Sequence, residues 1–363
     1  MQIETETIKM KSFRILLSAA IALAMFVSCD EKDQDHELVE TAMLSVSFKT
    51  PDLDVLWGSD WRDEWQYYWA TDYPIFGPLG YTMPEMIKST IYNIDAKTGR
   101  RFNSFFKIFD LKGSQVSLPA GSGYDMLFYN FGAENIIFDA SDDFETYTAS
   151  TIITPYGVDS LGHPYNQDEP DELLGAMVTA VDLGIAASDY DKETDTDGNV
   201  CYIRKADVEL KPYSIIYLIQ VVILNNQENQ VTGASEITIT GLSQGVDLFT
   251  RKTFNNTTLI TTEDVKGLQH HNNVRLADGN VVEYADIIAA RMLTWGLPDI
   301  NPMEFSKDGA KAPEHDRNYI GVALTFRNGR TSTVTADITE QMQNKPAGGV
   351  LTVCVDLNDI KLY

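Results

Sequence analysis

From about residue 40 onward, apolar and polar positions alternate with a period of two, the pattern of strands that turn one face to a core and the other to solvent. Runs rich in β-branched and aromatic residues predict strands at Leu44–Thr50, Ser89–Asp95, Phe105–Asp110, Gln115–Leu118, Tyr124–Tyr129, Asn135–Phe138 and Met177–Leu183. A second set is predicted at Val200–Glu209, Ile215–Leu224, Glu236–Thr240, Thr258–Thr262, Tyr319–Phe326, Arg330–Ile338 and Val350–Leu357. Turn signals separate them, among them Lys97-Thr98-Gly99, Pro119-Ala120-Gly121 and Asp197-Gly198-Asn199, with Asn328-Gly329 marking a tight hairpin. Two short helices are expected, at Asp264–Leu268 and Val282–Ala290. Short strands without long helical periodicity imply an all-β fold, read as two tandem antiparallel β-sandwich domains with long loops and a few short helices. The division expected is 41–195 and 196–363, with the junction near Ser188–Asp197 at the end of a loop rich in Asp, Tyr, Thr and Pro.

The first forty residues follow different rules. Lys9, Lys11 and Arg14 precede an apolar run from Ile15 to Val27, too short to span a bilayer stably. Ser28-Cys29 closes that run and Asp30, Glu31, Lys32 and Asp33 follow at once. A small residue before a cysteine at this place resembles a bacterial lipobox. Residues 1–28 are therefore read as a signal peptide, Cys29 as the lipid-attachment site and 29–40 as a lipidated tether. The expected location is the outer membrane, lipid-anchored and facing the cell surface.

Composition narrows the function classes. The 363 residues hold 53 acids against 28 Lys and Arg, a formal net charge of −25. Residues 1–28 carry a net +1, so the remaining 335 or so carry −26. Nucleic-acid binding needs clusters of Lys and Arg to neutralise phosphates, so no nucleic-acid partner is expected. A hydrophobic content of 44% excludes a disordered acidic chain. The charge reads as a solvated coat.

One constellation stands out. Trp57, Trp61, Trp65 and Trp69 recur at intervals of four, thickened by Tyr67, Tyr68, Tyr73 and Phe76, and ringed by Asp54, Asp60, Asp63, Glu64 and Asp72. Spacing of four suits one slowly drifting helical face, and even spacing suits one strand face equally. Rings beside carboxylates suit stacking on sugar faces, while the plainer reading is a satellite core or subunit contact. Trp57, Trp61, Trp65, Trp69 and Tyr68 are the candidate ligand or contact surface. Gly58, Pro74, Gly77, Pro78 and Gly80 argue against a continuous helix past Tyr73.

Other chemistry is thin. No flanking motif singles out a pair of carboxylates for glycoside hydrolysis. Glu193 to Asn199 imitates the first half of a calcium loop around Asp195 and Asp197, but position twelve would be Arg204 instead of a closing acid. His270-His271 are adjacent and expected in a loop. Cys354 is expected as a small buried side chain, and whether it pairs with Cys201 is open. No nucleophile elbow, zinc helix or phosphate loop occurs, so no catalytic residue, metal or cofactor is expected.

Several stretches resemble a known group. Ile91-Tyr92-Asn93-Ile94-Asp95, then Val116 to Gly121, then Tyr124 to Glu134 look like fimbrillin-like lipoproteins of Bacteroidales, as do Val208 to Pro212 and Glu236 to Ser243. Asp159-Ser160-Leu161 resembles the short O-glycosylation acceptor motif of exported proteins in the same bacteria. The resemblance implies two transthyretin-like, Greek-key sandwiches and a role as a type V pilus anchor or accessory subunit. Its implied partners are the outer-membrane lipid through Cys29 and pilin-like subunits joined by strand donation. Stalk subunits lose an N-terminal strand by cleavage after an arginine, and no convincing arginine stands between Cys29 and the first predicted strand, which fits an anchor better. The functional expectation is a non-enzymatic surface protein of fimbrial assembly, anchoring or adhesion. The alternative is a glycan-binding surface lipoprotein of a polysaccharide-uptake system.

Overall fold

The computed structural model describes residues 37–71, 76–110, 115–132, 134–140, 146–152, 167–306 and 311–359. The signal peptide, Cys29, the Asp159-Ser160-Leu161 triplet and Tyr73 lie outside them. The first strands are β1 (Thr41–Lys49), β2 (Met86–Ile94), β3 (Arg101–Asp110), β4 (Gln115–Pro119), β5 (Ser122–Asn130), β6 (Ile136–Ala140) and β7 (Tyr147–Thr151). The next are β8 (Gln167–Asp168), β9 (Leu174–Leu183), β10 (Asp191–Thr194), β11 (Val200–Glu209), β12 (Lys211–Pro212), β13 (Ile215–Leu224) and β14 (Val231–Ser243). The last are β15 (Gly245–Asp247), β16 (Thr257–Thr262), β17 (Val265–Arg275), β18 (Val281–Thr294), β19 (Tyr319–Phe326), β20 (Thr331–Asp337) and β21 (Gly349–Asp356). Three short α-helices join them: α1 (Leu53–Trp57), α2 (Trp61–Glu64) and α3 (Thr339–Asn344). The chain is all-β, as its alternation requires.

The strands form five sheets, in the orders β10-β11-β1-β4, β12-β9-β5-β2-β3, β17-β18-β13-β21, β20-β19-β14-β16-β8 and β15-β7-β6. By contact density the chain divides into two units. The smaller holds the described residues up to Met43 with Leu118–Gly121 and Leu183–Arg204, and the larger holds the rest. In the smaller unit β10 and β11 form a hairpin, and Glu37 is bonded by Lys192 and Tyr202.

The main core of the larger unit lies between the sheets that contain β13 and β14. Ile215, Tyr217, Ile219, Val221 and Ile223 point into it from one row of β13, against Ile237, Ile239, Ile260, Ile320, Val322 and Leu324. Nearly every residue of β13 is buried, because its other row is covered as well. A strand buried on both faces reads as a continuous apolar run, and Ile-Ile-Tyr-Leu-Ile-Gln-Val-Val-Ile-Leu is one. A second core surrounds Tyr129, Tyr147, Tyr213 and Trp295, where the Tyr129 and Tyr147 hydroxyls meet at 2.7 Å. A third contact joins Phe48, Phe109 and Phe128 edge to face.

Three expectations are corrected. Val282–Ala290 is not a helix but the middle of β18, paired with both β13 and β17. Ala285, Ile287 and Ala289 pack on one side of it while Ile288, Ala290 and Met292 pack on the other, so apolar residues fill both rows and hide the period of two. Asp264–Leu268 is likewise mostly strand, the start of β17. Most of the described strand pairs are antiparallel, but β21 runs parallel to β13 and β8 parallel to β16. Between β20 and β21 the chain changes sheets through α3, which reverses its direction relative to a hairpin.

Candidate functional site

The tryptophan segment is built as two short helical turns followed by extended chain. Asp52 caps α1 by accepting from Asp54 N at 2.9 Å, and Gly58 ends it with φ of 78°. That break puts Trp57 and Trp61 in separate helices, so the four indoles never share one helical face. Instead the segment lies across the outer row of the β13 sheet. Leu53, Leu56, Trp57, Trp61 and Trp65 pack on Ile216, Leu218, Leu293 and Val350. Tyr67 and Trp69 pack on Val222, Val274, Ala285, Ile287 and Ala289.

Glutamine side chains fasten the segment. Gln220, buried in the outer row of β13, donates to Glu64 O at 2.9 Å and Thr352 Oγ1 at 2.8 Å and accepts from Gln66 N at 2.9 Å. Gln66 bonds both backbone groups of Arg275. Gln269 does the same for Tyr68, at 3.0 and 2.9 Å.

Of the five nominated residues, Trp61 (9% exposed) and Trp69 (8%) are buried, while Tyr68 is 69% exposed. Trp57 and Trp65 are half-buried. Trp57 donates to Ala347 O, Trp61 to Asp54 Oδ1 and Trp69 to Gly77 O, at 2.8–3.0 Å. The Trp65 indole N–H is buried without an acceptor among the described residues. The structure brings Trp57 and Trp61 together, edge to face at 5.7 Å, beside a cleft of about 490 Å³. Trp65 and Trp69 form a second group with Tyr67, and Tyr68 stands apart from both. Asp54, whose carboxyl is held low by the Arg62 guanidinium and then by the Trp61 indole N–H, orients the first group.

The remaining candidates take structural places. Asp195 closes the β10–β11 turn, accepting from the backbone N–H groups of Asp197 and Asn199 and from the Asn199 side chain. His270 and His271 lie in β17, not in a loop. The His270 Nδ1 stands 2.5 Å from the buried Asp286 carboxylate and 3.0 Å from Tyr284 OH. Cys201 and Cys354 are free thiols. Cys354 is exposed rather than buried, because Leu351, Val353 and Val355 take the core row of β21 and Cys354 falls in the other.

Sequence reasoning missed two features. In β3 the alternation is lost, since Phe102, Phe105, Phe106 and Ile108 are all substantially exposed. This strand ends its sheet and pairs only with β2 among the described residues. A hollow of about 240 Å³ beside it is lined by Lys88, Thr90, Tyr92, Phe106, Ala140 and Tyr147. The signal available was the clustered Phe-Asn-Ser-Phe-Phe-Lys-Ile-Phe itself. The second feature is a cluster where Arg291 bonds Glu172 at 2.5 Å and the carbonyls of Leu79 and Gly80, close to Glu169. Its residues come from distant parts of the chain, with no local motif.

No family model matches the chain, and no curated protein does. Similar solved structures include a putative adhesin from Bacteroides ovatus, 13% identical over 92% of this chain and 98% of that one, with a TM-score of 0.44. The fimbrial anchor protein Mfa2 of Porphyromonas gingivalis is 10% identical over 86% and 90%, with a TM-score of 0.39. A structure from Bacteroides thetaiotaomicron described as putative polysaccharide binding proteins is 10% identical over 87% and 92%, also at 0.39.

Two outcomes follow from this geometry. Gln220→Leu strands Gln66 N–H and Glu64 C=O, so unfolding is expected to be easier by about 1–3 kcal/mol, with faster amide exchange at Gln66; unchanged stability and exchange would refute the clasp. Burial raises the Glu169 carboxyl above the ordinary range despite the bond from Leu293 N. Its contribution to stability is thus fully present below the unfolded pKa and lost as pH rises through the folded one. Glu169→Gln should therefore melt above wild type at pH 7 and level with it at pH 4, as read by thermal unfolding at both values.

Proposed function

We propose that this chain is a non-enzymatic, lipid-anchored cell-surface protein of fimbrial assembly or adhesion, and that β3 is where a partner's strand adds. The observation that carries this reading is that β3 ends its sheet and, among the described residues, pairs with β2 alone. Unpaired edge strands are templates for other chains and are ordinarily blunted by charge, proline, bulges or cover. The ten residues of β3 contain no proline. Its register with β2 slips once, between Tyr92 and Asn93, near Asn103 with its φ of 44°. Beyond that bulge the edge continues from Ser104 to Phe109 with Phe105, Phe106 and Ile108 exposed. An added strand would gain ladder hydrogen bonds for affinity, and its alternate side chains would meet Phe106 and the adjoining hollow for specificity.

The resemblance of the sequence to fimbrillin-like lipoproteins supports the same role, and the lipobox supports membrane attachment through Cys29. Two or more acyl chains hold a protein on a membrane far better than one.

Two measurements test the reading. Phe106→Lys/Ile108→Lys places charge on exposed positions of β3, so folding should survive while co-purification with a pilin-like subunit falls about tenfold or more. Undiminished co-purification would sink strand addition at β3. Cys29→Ala should shift the protein from the membrane fraction to the soluble one, and retention in the membrane would sink the anchor.

A further inference from the structure

The cleft at the start of the tryptophan segment has one aromatic wall, where Trp57 and Trp61 stand with their planes at 89°. Both rings are fixed, Trp57 by Ala347 O and Trp61 by Asp54, and the Arg62 guanidinium lies 5.0 Å from the Trp61 ring centre. Trp57 sits against bare backbone, since a Cβ on Gly348 would approach its Nε1 to 2.9 Å and Ile216 O to 2.4 Å. The rest of the lining is mixed, with Asp60, Glu64, Asn344 and Lys345 beside Phe305 and Val350. There Lys345 Nζ is shared between Glu64 and Val350 O, each at 2.5 Å.

This lining sorts ligand classes. The volume of about 490 Å³ lies within the range of small-molecule sites. An anion would meet Asp54, Asp60 and Glu64 with one ammonium already shared, so it is repelled. A wholly apolar molecule would strip water from the acidic rim without replacing its hydrogen bonds. A metal ion finds no cluster of three suitable ligands among the described residues. A neutral pyranose suits this lining, with its C–H face on the half-buried Trp57 and its hydroxyls donating to the carboxylates.

We infer that the cleft is a binding subsite for a neutral pyranose of a glycan, with Trp57 as the platform and Asp60 and Glu64 as hydroxyl acceptors. The subsite deepens the adhesion half of the proposed function and involves no residue of β3. A negative glycan result therefore leaves strand addition standing, and the reverse also holds.

The test is affinity gel electrophoresis of the mature chain with three probes: an α-mannan, a mixed-linkage β-glucan and the anionic polygalacturonan. At least one neutral polysaccharide is expected to retard the protein and polygalacturonan is not. Asp60→Ala/Glu64→Gln and, separately, Trp57→Phe should each weaken that retention about tenfold, while Phe106→Lys/Ile108→Lys leaves it unchanged. The acid variant alters exposed or half-exposed side chains, so it reads the site even if Trp57→Phe disturbs packing. Retention by neither neutral polysaccharide, retention by polygalacturonan alone, or retention that the acid variant leaves unchanged would overturn the subsite.

Discussion

β13 is apolar on both of its faces, and a strand of that kind must be covered twice. The sheet built on β14, β16 and β19 covers one row. Among the described residues, neither a third sheet nor a long helix covers the other row. The chain uses an irregular segment whose indoles bring large apolar area per residue, while its backbone groups must still find partners in a dry setting. The glutamine amides answer that requirement, because each offers a donor and an acceptor to a backbone that no strand pairs. Gln220 interrupts the otherwise apolar outer row of β13 for this reason.

That arrangement explains what could be read in advance. Many of the strands with a single buried face were visible as alternation, though β7 and β17 were not, and β19 matches its predicted bounds of Tyr319–Phe326. Where both rows are apolar, as in β18, the period vanishes and the segment passes for a helix. The tryptophan segment was conspicuous from its composition, yet its division depended on Gly58 adopting a positive φ and on what lay beneath it. The cluster of Arg291, Glu172 and Glu169 left no trace, since its members meet only through the fold. β3 was seen as a strand, but that it ends its sheet with phenylalanines exposed is a property of topology.

β13 and β3 pose the same physical question with opposite outcomes. Both carry more apolar surface than a half-buried strand needs. The chain itself covers the first, while among the described residues only β2 pairs with the second, and exposed apolar groups on a sheet edge mark where association is favoured. The net acidic charge fits this, because repulsion between like-charged neighbours leaves only specific contacts competitive.

The glutamine clasps have one more consequence. They are neutral, and dissolved ions weaken attraction between charges while leaving amide hydrogen bonds nearly untouched. The exposed ion pairs, such as Lys252 with Asp299, loosen as ionic strength rises, but the clasps of Gln220, Gln66 and Gln269 do not. The stretch from Glu64 to Tyr68 thus keeps its fastening to the sheet from dilute buffer to brine.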